Sequence, residues 1–182
     1  MPRPPSAMRR QILDAALRLF AEHGFKGASL HDIAVEARCS KASLLYHFAG
    51  KDAILTELLT PPAESLSAMR EELGALTGDQ AAESAVAVYV GLAMRFQLEI
   101  KIIFAELPDM LGHPVLAVIP QAVDELADAL AGRSRDPGAR VMAQMVIGGV
   151  AVTVAAAVDV APDTMRAELV RGALRTLGRP TR

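Results

Sequence analysis

The twenty residues "SLHDIAVEARCSKASLLYHF", Ser29 to Phe48, decide how this chain folds. Ser29 opens a capping-box pattern, in which the serine oxygen accepts the backbone N–H of Asp32 while the Asp32 carboxylate reaches back to the cap. Leu30, Ile33, Ala34 and Ala37 then share one face of a two-turn helix and leave His31, Asp32, Val35 and Glu36 outward. Ser40 caps a second short helix, whose Leu44 and Phe48 meet at i, i+4 spacing on an inner face. Helices this short cannot bury their apolar faces unless they cross steeply and rest on a third, which Ile12, Ala16, Leu19 and Phe20 upstream supply. The layout is that of a helix-turn-helix.

On the second of these helices Ala42, Ser43 and Tyr46 point away from the inner face, Leu45 and His47 flank it, and Lys41 projects from the first turn. Such a surface suits a DNA major groove: small residues seat the helix deeply, its first turn reaches base edges, and Tyr46 and His47 donate to phosphate oxygens. Lys51 adds positive charge beside the open backbone N–H groups at the start of the next helix, an expected phosphate site. Taken singly, each residue reads equally well as a cap or a solvated side chain. The argument rests on their joint placement on one face.

The run "ILDAALRLFAEHGFKGASLHDIAVEARCSKASLLYHFAGKDAIL", residues 12–55, closely resembles the DNA-binding domain of the tetracycline-repressor (TetR) family of bacterial transcription regulators. It has the helix, the "F-x-x-x-G-F", the Ser-capped "x-x-x-I-A", the turn ending in Ser and the "L-x-Y-H-F-x-x-K-[DE]-x-[IL]-L" in order. The resemblance implies base and phosphate contacts from Ser40, Lys41, Ala42, Ser43, Leu45, Tyr46 and His47, with phosphate contacts from Ser29 and Lys51. Two positions depart from the pattern. Arg38 stands in the turn where glycine is usual, and a left-handed backbone there costs a non-glycine residue about 1 kcal/mol; either Arg38 recovers this by reaching a phosphate, or the turn differs. Leu45 replaces a common tyrosine and removes one hydroxyl.

The whole chain has 182 residues, enough for one or two domains, and a net charge of -2. Residues 1–60 carry eight Lys and Arg against six Asp and Glu, a modest lean toward an anionic partner. Apolar residues recur at helical spacing throughout and alternating patterns are absent, so an all-α fold is expected. Breakers predict helices over residues 7–23, 30–37, 41–48, 51–73 (kinked or interrupted by Pro61 and Pro62), 79–107 (with a break near Arg95), 114–131, 137–158 and 163–177. These divide into a DNA-binding domain, 1–50, and a regulatory, ligand-binding and dimerisation domain, 51–182, whose first helix is the linker. The single cysteine, Cys39, suits a reducing compartment, and the N-terminal run lacks a secretory cleavage site, so the cytoplasm is expected. "VMAQMVIGGVAVTVAAAV", Val141 to Val158, just reaches membrane-spanning length, but Gln144 and the lack of flanking Trp or Tyr favour a buried helix.

Beyond Pro62 no strongly diagnostic motif appears, and function must be argued from shape. Methionines and aromatics suggest a pocket between helices for a small molecule, with Met94, Arg95, Phe96, Phe104, Met110, His113, Met142 and Met145 as candidate lining. Polar residues inside apolar runs, Arg95, Gln97, Glu99, His113 and Gln144, need partners if buried. Near the C-terminus Val141, Met145, Gly148, Val152 and Ala155 follow a 4,3,4,3 repeat, and Leu169, Ala173 and Leu177 share a face. The TetR resemblance implies that these two helices form the seam of a homodimer. No phosphate loop, nucleophile elbow or metal-ligand spacing is present, so neither enzyme activity nor a cofactor or metal is expected. The expectation is a repressor released from a palindromic operator by a small apolar or amphipathic effector; the rival is a helical ligand-binding or interaction protein that does not touch DNA.

Overall fold

The computed structural model describes residues 7–105, 112–156 and 158–180. Among them are the helices α1 (Ala7–Gly27), α2 (Leu30–Glu36), α3 (Lys41–His47), α4 (Lys51–Leu73), α5 (Gly78–Arg95) and α6 (Gln97–Ala105). A 3-10 turn, η1 (Pro114–Leu116), and the helices α7 (Ile119–Leu130), α8 (Pro137–Ala155) and α9 (Pro162–Thr176) follow, with no strand among the described residues.

Local chemistry sets most of these boundaries. α1 loses helical geometry at Gly24 (φ 78°, ψ 161°), a backbone that glycine adopts without strain, and a short tail follows to Gly27. The Asp136 carboxylate caps α8 by accepting the Ala139 N–H at 3.0 Å. Proline opens α7, α8 and α9, where a missing N–H costs nothing. α4 continues through Pro61 and Pro62 to Leu73, although neither proline offers an N–H to the preceding turn. The expected break near Arg95 falls at Phe96 (φ -109°, ψ 35°), which separates α5 from α6. The run expected as one helix over 114–131 is divided into η1 and α7.

Two apolar cores result. The first joins Ile12, Phe20, Ile33, Leu44, Phe48, Leu55 and Leu59 and also takes in Ile102 of α6 and Leu116 of η1. The second holds Met69, Val86, Val90, Leu126, Leu130, Val146 and Val150. Fully burying each large aliphatic or aromatic side chain contributes roughly 1.5–3 kcal/mol, which is what holds helices as short as α2 and α3 in place. The helix-turn-helix is therefore not a detached bead, since α1 packs on α6.

α8 has the length and apolar composition of a membrane span, yet it is not buried all round. Ala143, Val146, Val150 and Val154 face the second core, whereas Val141, Met145 and Val152 are more than half exposed. Within the single chain one face of α8 is left bare.

Candidate nucleic-acid interface and effector cavity

Paired caps fix the two helices of the turn. The Asp32 N–H donates to Ser29 Oγ at 3.2 Å, and the Ser29 N–H donates to Asp32 Oδ2 at 2.9 Å. The Ser29 hydroxyl also donates to Asp32 at 2.6 Å, and this bond, followed by the backbone one, holds the carboxyl below its usual range. Ser40 Oγ accepts the Ser43 N–H at 3.0 Å, leaving the Ser40 hydroxyl proton to donate elsewhere. Between the helices Arg38 is exposed with φ 53°, so the left-handed turn is kept without glycine.

α3 is pinned by Leu44, which is inaccessible to solvent. Its opposite face carries the exposed Lys41, Ala42, Leu45 and Tyr46, the last 86% exposed, with half-buried Ser43 and His47 beside them. The Tyr46 and His47 rings meet edge-on, 5.2 Å apart. Arg9 of α1 secures the rear: it donates to the His47 carbonyl at 2.7 Å, pairs with Glu57 of α4 and lies 4.2 Å from the Phe48 ring centroid. Lys51 does not extend this face as a free ammonium. Its Nζ donates to the carbonyls of Phe25 (2.5 Å) and Ala28 (2.8 Å) and lies over the Phe25 ring, fastening the end of α1.

A cavity of about 220 Å³ lies between α4, α5, α6, α7 and α8. Its wall is mostly hydrocarbon, from Leu66, Leu92, Ile100, Val123, Leu126 and Ile147, with Phe96 and Phe104 at α6. Two titratable residues line it. The Tyr89 hydroxyl donates to the Ile147 carbonyl at 2.8 Å, and burial raises its pKa. Burial likewise pushes the Glu99 carboxyl above its usual range. Among the described residues no group of three or more His, Cys, Asp or Glu is placed to hold a metal.

The family model described as "Bacterial regulatory proteins, tetR family" matches residues 12–58, the span of the first core from α1 into α4. The HTH-type transcriptional regulator RutR of Escherichia coli (strain K12) is 33% identical over 132 residues, 70% of this chain and 57% of that regulator. The chain belongs to the tetR family. It spans little more than half the length of RutR, and its likeness to solved structures runs further. The Mycobacterium smegmatis AmtR structure shares 27% identity with a TM-score of 0.72 over 99% of this chain and 90% of that one. The ketosteroid transcriptional regulator KstR2 of Mycobacterium tuberculosis has a TM-score of 0.77 at 19% identity over 96% and 95% of the two chains, a likeness of fold. RutR and KstR2 are named as transcriptional regulators.

Against this tetR-family frame, several expected site residues lie elsewhere. Phe96 and Phe104 line the cavity, but Met94, Arg95, His113, Met142 and Met145 do not. Met94 borders a smaller pocket near α9, and the exposed Arg95 lies over the Phe96 ring, 5.0 Å from its centroid. His113 caps η1 by accepting the Val115 N–H, and Met142 and Met145 are exposed on α8. Met110 falls outside the described residues. Of the interior polar residues Glu99 reaches the cavity, while Gln97 donates to the Val154 carbonyl and Gln144 is exposed. The cavity's space comes from residues the sequence reading passed over: Ala93, Ala122 and Ala151, small side chains opposite larger ones. At the expected seam Met145, Gly148 and Val152 are exposed and Ala155 is half-buried. Leu169, Ala173 and Leu177 turn inward instead, with Ala173 buried in the second core and the two leucines packed on it. An i, i+4 stripe marks a buried face without saying whether the chain itself or a partner covers it.

Proposed function

We propose that this tetR-family chain is a cytoplasmic, homodimeric, sequence-specific DNA-binding repressor, released from a palindromic operator by a small apolar or amphipathic effector. Residues 1–50 read DNA and residues 51–182 bind the effector and the partner subunit, with α4 as the link. One observation carries most weight: the exposed Lys41–Ala42–Leu45–Tyr46 face of α3 is backed by a core that shares walls with the cavity. Leu116 of that core, and Ile103 and Ile119 packed against it, also line the cavity. A ligand seated there presses on side chains of the same core that supports the recognition helix. It acts only insofar as it binds the DNA-competent and DNA-incompetent arrangements with different affinity.

The bare Met145–Gly148–Val152 face of α8 supports the dimer, because apolar residues in such a row need cover and Gly148, with Gly149 beside it, allows close helix approach. A dimer of this kind offers one α3 to each of two successive major-groove segments about 34 Å apart. Selection of bound duplexes from a random pool by the purified chain tests the proposal. Recovery of an inverted repeat, with affinity falling steeply as salt rises, is the expected result. Indifference to every duplex at low ionic strength would favour the rival, a helical ligand-binding protein whose helix-turn-helix is a packing corner.

A further inference from the structure

The cavity's chemistry narrows the class of effector. Among the described residues no Lys, Arg or His lines it, and the two titratable groups that do are Tyr89 and Glu99. The Tyr89 hydroxyl is committed to the Ile147 carbonyl. The Glu99 carboxyl is half-buried and meets no side-chain partner among the described residues; its polar neighbour is its own backbone amide. An unpaired carboxyl in an apolar wall is costly, and a ligand that supplies the missing charge relieves that cost.

Three features favour a cation over a neutral or anionic molecule. Glu99 sits in the first turn of α6, where the open N–H groups favour the ionised carboxylate and oppose the effect of burial. Phe96 and Phe104 line the same cavity, and aromatic ring faces attract a cation. An anionic head would lose its water beside a carboxylate with no cation to replace it. The volume, about 220 Å³, exceeds the roughly 150 Å³ apolar cavity that accepts benzene, so a small organic molecule fits. We infer that the effector is a monocationic amphiphile, a lipophilic amine or quaternary ammonium, whose head seats against the Glu99 carboxylate while its hydrocarbon fills the space between α5 and α7. This inference rests on the cavity being the effector site.

Calorimetry on the full chain with octyltrimethylammonium, octanol and octanoate, all below micellar concentrations, tests both layers. The ammonium is expected to bind about tenfold or more tighter than either of the others, as a charge-assisted contact in a desolvated site supplies. Glu99→Gln removes that preference and leaves octanol binding within about twofold, which also shows that the variant keeps its cavity. Octanoate or octanol binding as tightly as the ammonium, or an ammonium affinity indifferent to Glu99→Gln, overturns the charge assignment. The cavity reading is tested separately by Ala93→Leu and Ala122→Val, buried lining positions where added carbon takes up the space. Octanol binding lost in either folded variant supports the cavity. Octanol binding kept in both, or binding by none of the three probes to the unaltered chain, overturns the cavity and the inference together.

Discussion

Leu44 and Tyr46 lie two residues apart on α3 and face opposite ways, so their alanine variants separate folding from DNA reading. Leu44 is inaccessible to solvent in the core that joins α1, α3 and α4. Truncating a leucine in such a site costs about 2–5 kcal/mol, a large share of the roughly 5–15 kcal/mol that stabilises a typical domain. Tyr46 is 86% exposed, with the edge of the His47 ring as its aromatic contact. Its removal is expected to change stability by no more than about 0.5 kcal/mol. If the Tyr46 hydroxyl contacts the duplex, its loss costs about 1–3 kcal/mol, or about 5- to 150-fold in affinity. A dimer presenting two copies feels the loss in both half-sites. Fluorescence anisotropy with the selected duplex, and urea unfolding of the same samples followed by circular dichroism, measure the two effects side by side. Leu44→Ala is expected to shift the unfolding midpoint strongly, and Tyr46→Ala to move binding with the midpoint unchanged. Tyr46→Ala that binds like the unaltered chain, or that destabilises it as much as Leu44→Ala does, refutes the assignment of this face.

Three further outcomes follow from particular side chains. Arg38→Gly removes a non-glycine residue from a left-handed backbone (φ 53°) and is expected to raise stability by up to about 1 kcal/mol in urea unfolding; if the guanidinium reaches a phosphate, the slope of log affinity against log salt falls by about 0.9. Gly148→Leu adds a Cβ that meets nothing within 4 Å in the single chain, so the subunit is expected to stay folded, gaining up to about 1 kcal/mol of helix propensity. Sedimentation is then expected to report monomers with weakened operator binding, and an unaltered dimer would move the seam away from this face of α8. Burial raises the folded-state pKa of Glu99, so its contribution to stability is complete below the unfolded carboxyl pKa and is lost as pH climbs through the raised one. Glu99→Gln is therefore expected to raise the thermal midpoint near neutral pH, with the margin shrinking as pH falls; a margin that grows on acidification contradicts that sign.

The helix-turn-helix was legible because its signals are local. Ser29 with Asp32, Ser40 with Ser43 and Leu44 with Phe48 act within one turn of helix, and their spacing alone implies the caps and the buried side. The sequence also implied the break near Arg95 and the stop at Gly24. The cavity was not legible in the same way, because its lining comes from five helices and depends on how they cross. Methionine and aromatic content pointed to Met142 and Met145, which lie outside, whereas the space is made by alanines that look like ordinary helix formers. The seam shows the same limit: the periodicity of Leu169, Ala173 and Leu177 was real, but the chain's own second core uses it. Lys51 was read as a free charge because its acceptors, the carbonyls of Phe25 and Ala28, are more than twenty residues away.

The proposed coupling from the cavity to α3 depends on which parts are rigid. Arg9 ties α1 to the Glu57 carboxylate in α4 and to the His47 carbonyl that ends α3, so α1, α3 and the first two turns of α4 are expected to move as one body. A close-packed core passes displacement on instead of absorbing it, and Leu116, with Ile103 and Ile119 beside it, brings the cavity wall into contact with that body. α4 is weakest where Pro61 and Pro62 offer no N–H to the carbonyls of Glu57 and Leu58, and Pro62 itself lines the cavity. Below this point the helix belongs to the first core, and by Met69 it belongs to the second. A ligand wedged between α4 and α7 is placed to bend α4 at the proline pair, and such a bend is expected to reorient α3 together with α1 and to shift the α1–α6 packing of the first core.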